Sequence, residues 1–174
     1  MVDDKILAIP TKNLFVWSIL NVGRVQILGV DVMLRKNWNL SNKLEINASF
    51  NYAFQKVQDI SDEHSTTFKN QLAYFPIHTL QSEISLMWNN KTGFFLSNSS
   101  LSNRYVLNEN SESNKLLGFS TFDLTCYYKM DLYKKNKLKL SLTLKNFTNT
   151  TYQYISYFVM PGRNYLMNLS YAFN

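Results

Sequence analysis

The chain has 174 residues, 45% of them hydrophobic and 15% aromatic, with a formal net charge of +6 and one cysteine. That length supports one domain with a sizeable core, and the apolar content excludes wholesale disorder. A single cysteine excludes an internal disulfide framework or a cysteine-based metal site, and the scattered lysines and arginines come with no stacking or groove-reading motif, which argues against nucleic acid. Gly and Pro number only 5 and 3 against 26 aromatic residues (Tyr 11, Phe 12, Trp 3), a balance that favours strands over helices or linkers.

Taken in chain order, Asp4 to Ile9 is a short candidate strand. From Val25 to Arg35 the apolar phase changes near Gly29, from Val25 and Ile27 to Val30, Val32 and Leu34, and a glycine at a phase change predicts a bulge or kink. Leu44, Ile46, Ala48, Phe50, Tyr52 and Phe54 then alternate with mostly polar residues, as do Leu80, Ile84, Leu86 and Trp88. Phe94 to Tyr105 alternates weakly. Phe122, Leu124, Cys126, Tyr128, Met130 and Leu132 form the next apolar phase, which puts the Cys126 thiol in a buried or lipid-facing position. Leu138, Leu140, Leu142 and Leu144 are separated by Lys139, Ser141 and Thr143, and Tyr165, Met167, Leu169, Tyr171 and Phe173 close the chain. Period-2 alternation gives each strand one apolar and one polar face. The whole predicts an all-β fold of about eight meandering antiparallel strands.

The connections sort by length. Short links are expected near Asn37–Asn42, Asn89–Thr92 and Tyr133–Asn136, the last carrying the basic cluster Lys134-Lys135-Asn136-Lys137. Longer ones fall at Pro10–Gly23, Lys56–His78, Leu107–Gly118 and Thr148–Arg163, so the long loops share one side of the sheet. Outer-membrane barrels have this asymmetry, and an even strand count would put both termini on the short-turn side. Glu45, Asn47, Asn51, Glu83, Asp123, Lys129, Lys139, Lys145 and Asn168 share the polar phase. In the interior of a narrow soluble barrel these groups would be costly, whereas a wet lumen accommodates them. The aromatics also gather at two levels, Trp88, Tyr133, Tyr171 and Phe173 at one and Tyr52, Phe54, Tyr105 and Phe122 at the other, as interfacial girdles do. The favoured orientation is therefore apolar face to lipid. No apolar run is long enough for a transmembrane helix. Met1-Val-Asp-Asp-Lys5 lacks the regions of an export signal, so an outer-membrane reading implies a chain incomplete at its N-terminus.

On these residues the chain resembles the C-terminal part of a TonB-dependent outer-membrane receptor. Asn21-Val-Gly-Arg-Val-Gln-Ile-Leu-Gly-Val-Asp31 is similar to that family's N-x-G-x-x-x-x-x-G-x-[ED] stretch, with Gly23, Gly29 and Asp31 at its fixed positions. Tyr74-Phe-Pro-Ile-His78 resembles a Y-x-P-x-H element, and Arg104-Tyr105 with Gly118-Phe-Ser-Thr-Phe-Asp-Leu124 fits the next loop and strand. Leu144-Lys-Asn-Phe-Thr-Asn-Thr-Thr-Tyr152 is similar to V-x-N-L-F-N-x-x-Y, and Met160-Pro-Gly-Arg163 and the closing strand complete the series.

The resemblance implies a transmembrane β-barrel segment spanning 1–174, the last third of a 22-stranded barrel, with the plug domain and N-terminal strands absent. It implies a receptor and not an enzyme, with no cofactor, placed in the cell outer membrane once an export signal and the remaining barrel are supplied. Its partners would be outer-membrane lipid, the barrel-assembly machinery, the inner-membrane TonB complex and a small nutrient ligand, with no nucleic acid. Met160-Pro-Gly-Arg163 leans toward the siderophore and cobalamin branch, and without a plug the chain is not expected to transport alone. Gly23, Gly29, Asp31, Pro76, His78, Asn146, Phe147, Pro161, Gly162 and Arg163 read as structural motif residues, and Tyr165, Met167, Leu169, Tyr171 and Phe173 as the C-terminal assembly signal. A metal role for His78 and a catalytic or calcium role for His64 compete with an interfacial histidine and a polar loop, which are the simpler accounts. Two other architectures fit the alternation: a self-contained eight-stranded outer-membrane barrel, closed by pairing residues 4–9 with 165–173, and a soluble barrel for a small apolar ligand.

Overall fold

The computed structural model describes residues 1–10, 16–132 and 136–173. It is all-β and antiparallel, with thirteen strands and a single 3₁₀ turn at Glu112–Asn114 among those residues. Seven strands form the main sheet: β3 (Val25–Ser41), β4 (Leu44–Asp59), β5 (His78–Trp88), β6 (Thr92–Leu101), β9 (Phe119–Asp131), β10 (Lys137–Lys145) and β13 (Asn164–Ala172). They meander in the order β13-β10-β9-β6-β5-β4-β3, leaving β3 and β13 as the edges of an open sheet. The short pieces β1 (Ile6–Pro10) with β2 (Trp17–Asn21), β7 (Arg104–Tyr105) with β8 (Lys115–Leu116), and β11 (Gln153–Ile155) with β12 (Phe158–Val159) form three separate two-stranded sheets at the ends of the long strands.

Register makes the two faces continuous. Ala48 stands opposite Ile84, Ile84 opposite Leu96, Leu96 opposite Leu124, and Leu124 opposite Leu144, so one apolar row crosses five strands. The residues between them form an equally continuous polar row, Ser49, Glu83, Ser97 and Asp123. Because side chains alternate along each strand, a slip of one residue at any pair would turn that strand's leucines to the polar side. The polar and charged positions named from sequence all fall on the second face, and Cys126 lies on the first, opposite Phe94 and Leu142.

Four sequence expectations are corrected. The link expected at Asn37–Asn42 is mostly strand: Asn37 pairs with Asn47 and Trp38 with Ile46, and the turn is confined to Asn42 and Lys43. Asparagine there looks like turn chemistry, but its side chain serves the ladder, donating from Nδ2 to Glu45 Oε1 at 2.8 Å and Asn47 Oδ1 at 2.6 Å. The loop Pro10–Gly23 contains strand β2, which pairs with β1 from Ile6↔Asn21 to Pro10↔Trp17. β1 is therefore not an eighth strand of the sheet. It does not meet β13, whose neighbour in the sheet is β10, so the closure required by a self-contained eight-stranded barrel is not formed. With seven strands the termini lie at opposite ends: Val2 bridges Val25 at the long-loop end, whereas Ala172 pairs with Lys137 at the short-turn end.

The fourth correction concerns Gly29. The pairing Leu28↔Lys56, Gly29↔Gln55, Val30↔Phe54 runs through without a bulge, and the irregularity in β3 lies at Asn39–Ser41. The change of phase comes from what covers the strand. Near the loop end Val25 is fully buried with Val57 beneath Leu7, Ile9 and Val22 and the loop residues Leu72 and Ala73. Further along, the opposite face carries Val30, Val32 and Leu34, which are exposed. One regular strand thus changes its apolar side because the β1–β2 hairpin caps one stretch and not the other.

Tight turns use residues suited to them. Asn89 and Asn90 take positive φ of 52° and 54° between β5 and β6, the conformation of the two-residue hairpin turn that asparagine tolerates best. Tyr133, Lys134 and Lys135, where a short turn is expected from the sequence, and Asn174 lie outside the described residues.

Candidate functional site

Two regions concentrate chemistry: the polar face of the sheet and the rim built by the long loops. On the polar face a concavity of about 250 Å³ is lined by Ser49, Asn51, Gln81, Glu83, Ser97 and Asp123 among others. Hydroxyls, amides and carboxylates converge there, all on polar side chains. Asp31 lies on the same face opposite Ala53 in β4 and is exposed. Among the described residues no group of three His, Cys, Asp or Glu is placed to hold a metal ion.

The rim is held by asparagines and one buried arginine. Asn108 Oδ1 accepts from Ala73 N at 2.9 Å, and Asn110 Oδ1 accepts from Gln71 N at 2.7 Å. Asn110 Nδ2 donates back to Gln71 O at 2.9 Å, and Tyr74 N donates to Tyr105 O at 2.8 Å. Arg104, only 2% exposed, donates from Nη2 to Gln153 O at 2.6 Å and Tyr154 O at 3.0 Å, with its guanidinium 5.8 Å from the Phe119 ring. Phe119 in turn packs on Tyr152 and Tyr154 at centroid distances of 4.6 and 5.1 Å. Burial lowers the arginine's pKa from its ordinary value and raises those of Tyr74 and Tyr152, the expected direction when the charged form loses water. Three loops are thereby fastened into one platform.

The residues singled out by motif occupy the junctions between strands and rim. Gly23 has φ of 73°, a left-handed conformation suited to glycine, and a side chain there would meet Ser61 Oγ at 2.9 Å. Asn21 Oδ1 accepts from Gly23 N at 2.9 Å. A Cβ on Gly29 would meet Phe54 O at 3.3 Å. Beside Pro76, Ile77 O accepts from Gln55 N at 2.8 Å, carrying the β4 ladder into the loop. The His78 ring stacks on Tyr52 and shares a 2.8 Å hydrogen bond between its Nδ1 and the Tyr52 hydroxyl. His64 is exposed, and its backbone N donates to Asp62 Oδ1 at 2.9 Å.

Two motifs that are apart in sequence join in space. Asn146 is 3% exposed; its backbone N donates to Asp123 Oδ1 at 2.8 Å and its Nδ2 to Thr150 O at 2.8 Å, while its Oδ1 accepts from Thr150 N at 2.9 Å. Asn146 Nδ2 also reaches Pro161 O at 3.4 Å. Arg163 donates from Nε to Phe147 O and from its backbone N to Asn149 Oδ1, each at 2.9 Å, and a Cβ on Gly162 would strike that same Oδ1 at 2.8 Å. Phe147 lies over Phe122 at 5.9 Å. Asn146 to Thr150 and Pro161 to Arg163 therefore form one knot linking β10, β9 and β13. On the closing strand Tyr165, Met167, Leu169 and Tyr171 align with Leu144, Leu142, Leu140 and Leu138, and all four are exposed, as is Phe173 beyond them.

Sequence reasoning missed the burial of Arg104, which entered only as part of a motif, and missed the pairing of Gly93 with Tyr127. The Tyr127 ring lies across Gly93 so closely that a Cβ there would sit 2.2 Å from it. An isolated glycine inside a strand pattern was the available signal.

The sheet and rim together define a class: a two-faced antiparallel barrel wall with long loops on one side. The family profile described as TonB dependent receptor-like, beta-barrel matches residues 2–147. This chain belongs to that family. Among solved structures, the ferric preacinetobactin receptor BauA from Acinetobacter baumannii aligns over 96% of this chain and 25% of its own, at 15% identity and a TM-score of 0.64. The copper transporter OprC aligns over 95% of this chain and 26% of its own, at 18% identity and a TM-score of 0.59. The chain thus spans about a quarter of the length of these structures. No curated protein matches it.

Proposed function

We propose that this chain is the C-terminal barrel segment of an outer-membrane receptor that takes up a scarce nutrient with energy from the TonB complex, and that it does not transport alone. The observation that carries the proposal is the exposed apolar face. Val30, Leu34, Ile84, Leu142, Met167 and Leu169 are between 52% and 68% exposed. Presented to water, a sheet-wide surface of this kind would drive aggregation; presented to lipid, it is the solvated face of a barrel wall. A soluble barrel would turn these residues inward. The polar face then lines the lumen, and the long-loop rim faces outward.

Open edges at β3 and β13 support a further part of the reading, that other strands complete a wider barrel of about 22. The plug, the remaining strands and the nutrient would come with the rest of the receptor. An iron–siderophore complex is the favoured nutrient: it agrees with the Met160-Pro-Gly-Arg163 ending and with the ferric ligand of the structural relative BauA. Within this reading Gly23, Gly29, Asp31, Pro76, His78, Asn146, Phe147, Pro161, Gly162 and Arg163 position strands and rim, and Tyr165, Met167, Leu169, Tyr171 and Phe173 are the segment read by the barrel-assembly machinery.

Expressed alone and refolded into detergent, the chain should aggregate through its unpaired edges. A monomer whose gel mobility changes on heating would overturn the claim that other strands are needed. Recovery of the cellular protein from the soluble fraction would overturn the membrane placement itself.

Lys36 supplies an independent test. It lies on the apolar face, opposite Ala48 and hence level with Ile84, Leu96 and Leu124, well inside the aromatic level marked by Tyr52 and His78. A lysine at mid-depth on the lipid side of a barrel costs about 2–4 kcal/mol. Lys36→Leu is expected to stabilise the assembled barrel by about 2 kcal/mol, seen as a higher guanidinium midpoint in lipid vesicles. An unchanged or lower midpoint would mean that this position does not face lipid.

A further inference from the structure

Arg104 is a buried ion without a counter-ion. It is 2% exposed, and none of the ion pairs among the described residues includes it. Its hydrogen bonds leave from Nη2, to Gln153 O and Tyr154 O, while Nη1 is buried and has no partner. The two carbonyls and the Phe119 ring, 5.8 Å away, offset only part of a full buried charge. A lysine in this position could shed its proton, but a guanidinium stays charged at any ordinary pH. A second spare donor belongs to the same rim. Tyr74 N donates at 2.8 Å to the carbonyl of Tyr105, the residue after Arg104, and the Tyr74 hydroxyl is also buried and unpartnered. The Ser156 backbone and the Arg104 charge both favour the anionic form of that phenol, as a donor N–H and a nearby cation do, while burial opposes it. Ser156 lies in the turn of the β11–β12 hairpin that Arg104 fastens. A positive charge and spare donors thus meet at one buried point, and among the described residues no carboxylate is paired with either.

We infer that Arg104 Nη1 and the Tyr74 hydroxyl hold a small monovalent inorganic anion, of the size and charge of chloride, against the β11–β12 hairpin. One negative charge balances one guanidinium, whereas a divalent oxyanion would over-neutralise it and demand more donors than the site presents. Burial selects against a carboxylate carried on a larger ligand, because the body of that ligand would have to follow the charge inside. A water molecule could accept from both donors, but it would leave the charge unopposed. The assignment does not depend on which face of the sheet meets lipid, nor on the nutrient.

The test is limited proteolysis of the assembled protein in whichever cell fraction holds it, so that its outcome is separate from the membrane placement. Sodium gluconate, whose anion is too large for the site, is exchanged for sodium chloride at constant ionic strength, and cleavage between residues 153 and 159 is timed. The bound anion stabilises the closed hairpin by mass action, so at chloride about ten times its dissociation constant cleavage should fall to about a tenth of its rate in gluconate. Bromide, similar in size and charge, should protect as well. Tyr74→Phe should be cleaved like the parent protein in gluconate but need several-fold more chloride for the same protection, a split that a purely structural hydroxyl would not produce. In Arg104→Met chloride should have no effect. Equal cleavage in chloride and gluconate would overturn the inference and assign the spare donors to water. Protection by chloride that survives in Arg104→Met would overturn it too, as a general effect of salt.

Discussion

Asn146→Ala should cost about 4 kcal/mol of stability and release the connection between β10 and β13. Two effects combine. Asn146 holds φ at 47°, a left-handed conformation that asparagine tolerates and alanine does not. The substitution also strips both strong side-chain bonds to Thr150, leaving its half-buried N–H and C=O without those partners. Asn146→Gly separates the two, keeping the backbone conformation while losing the bonds, and should recover about 1 kcal/mol of the loss. The readouts are the guanidinium midpoint of the assembled barrel and the hydrogen exchange of the Thr150 amide, which should accelerate in both variants. An Asn146→Ala protein with native exchange at Thr150 would refute the knot.

Arg104→Met should act more locally and nearly as strongly. Its Nη2 donates to both Gln153 O and Tyr154 O from a buried position above Phe119. Charge-assisted bonds of this kind contribute about 1.5–3 kcal/mol each, and their loss leaves carbonyls under-satisfied. The expected result is an opening of the β11–β12 hairpin by about 3 kcal/mol, visible as rapid amide exchange and protease cleavage between residues 153 and 159. The seven-stranded sheet should stay intact, because no main-sheet ladder passes through Arg104. Arg104→Lys should recover part of the loss, since both bonds come from the one nitrogen Nη2 and a single ammonium can donate to both carbonyls. Unchanged cleavage in both variants would show that the aromatic packing of Phe119, Tyr152 and Tyr154 holds the hairpin without the arginine.

Legibility followed the periodicity of the chain. From Leu44 to Phe54, and again from Leu138 to Leu144, alternation is clean because each face meets a single environment, and those strands fall where the pattern places them. β3 reads poorly for the opposite reason: its polar-side residue Val25 is roofed by the β1–β2 hairpin, so the strand's apolar side switches without any break in its ladder. Asparagine is the other source of error. Asn37 uses its amide to brace a ladder, Asn89 and Asn90 use their tolerance of positive φ in a turn, and Asn108 and Asn110 stitch loops together. These uses look alike in a one-dimensional reading. The clamp at Arg104 joins residues about fifty positions apart, a separation no local pattern records.

The odd number of strands in the sheet has a topographical consequence. A wall of seven crossings is a one-way path, entered among the long loops at Val25 and left at the short-turn rim at Ala172. In the proposed membrane-inserted barrel the two ends would therefore belong to different compartments. In the complete receptor an epitope inserted near residue 1 should meet antibody on intact cells, and one placed near residue 173 only once the envelope is opened. On that reading the parity of the meander gives the wall a polarity across the membrane that neither face of the sheet carries.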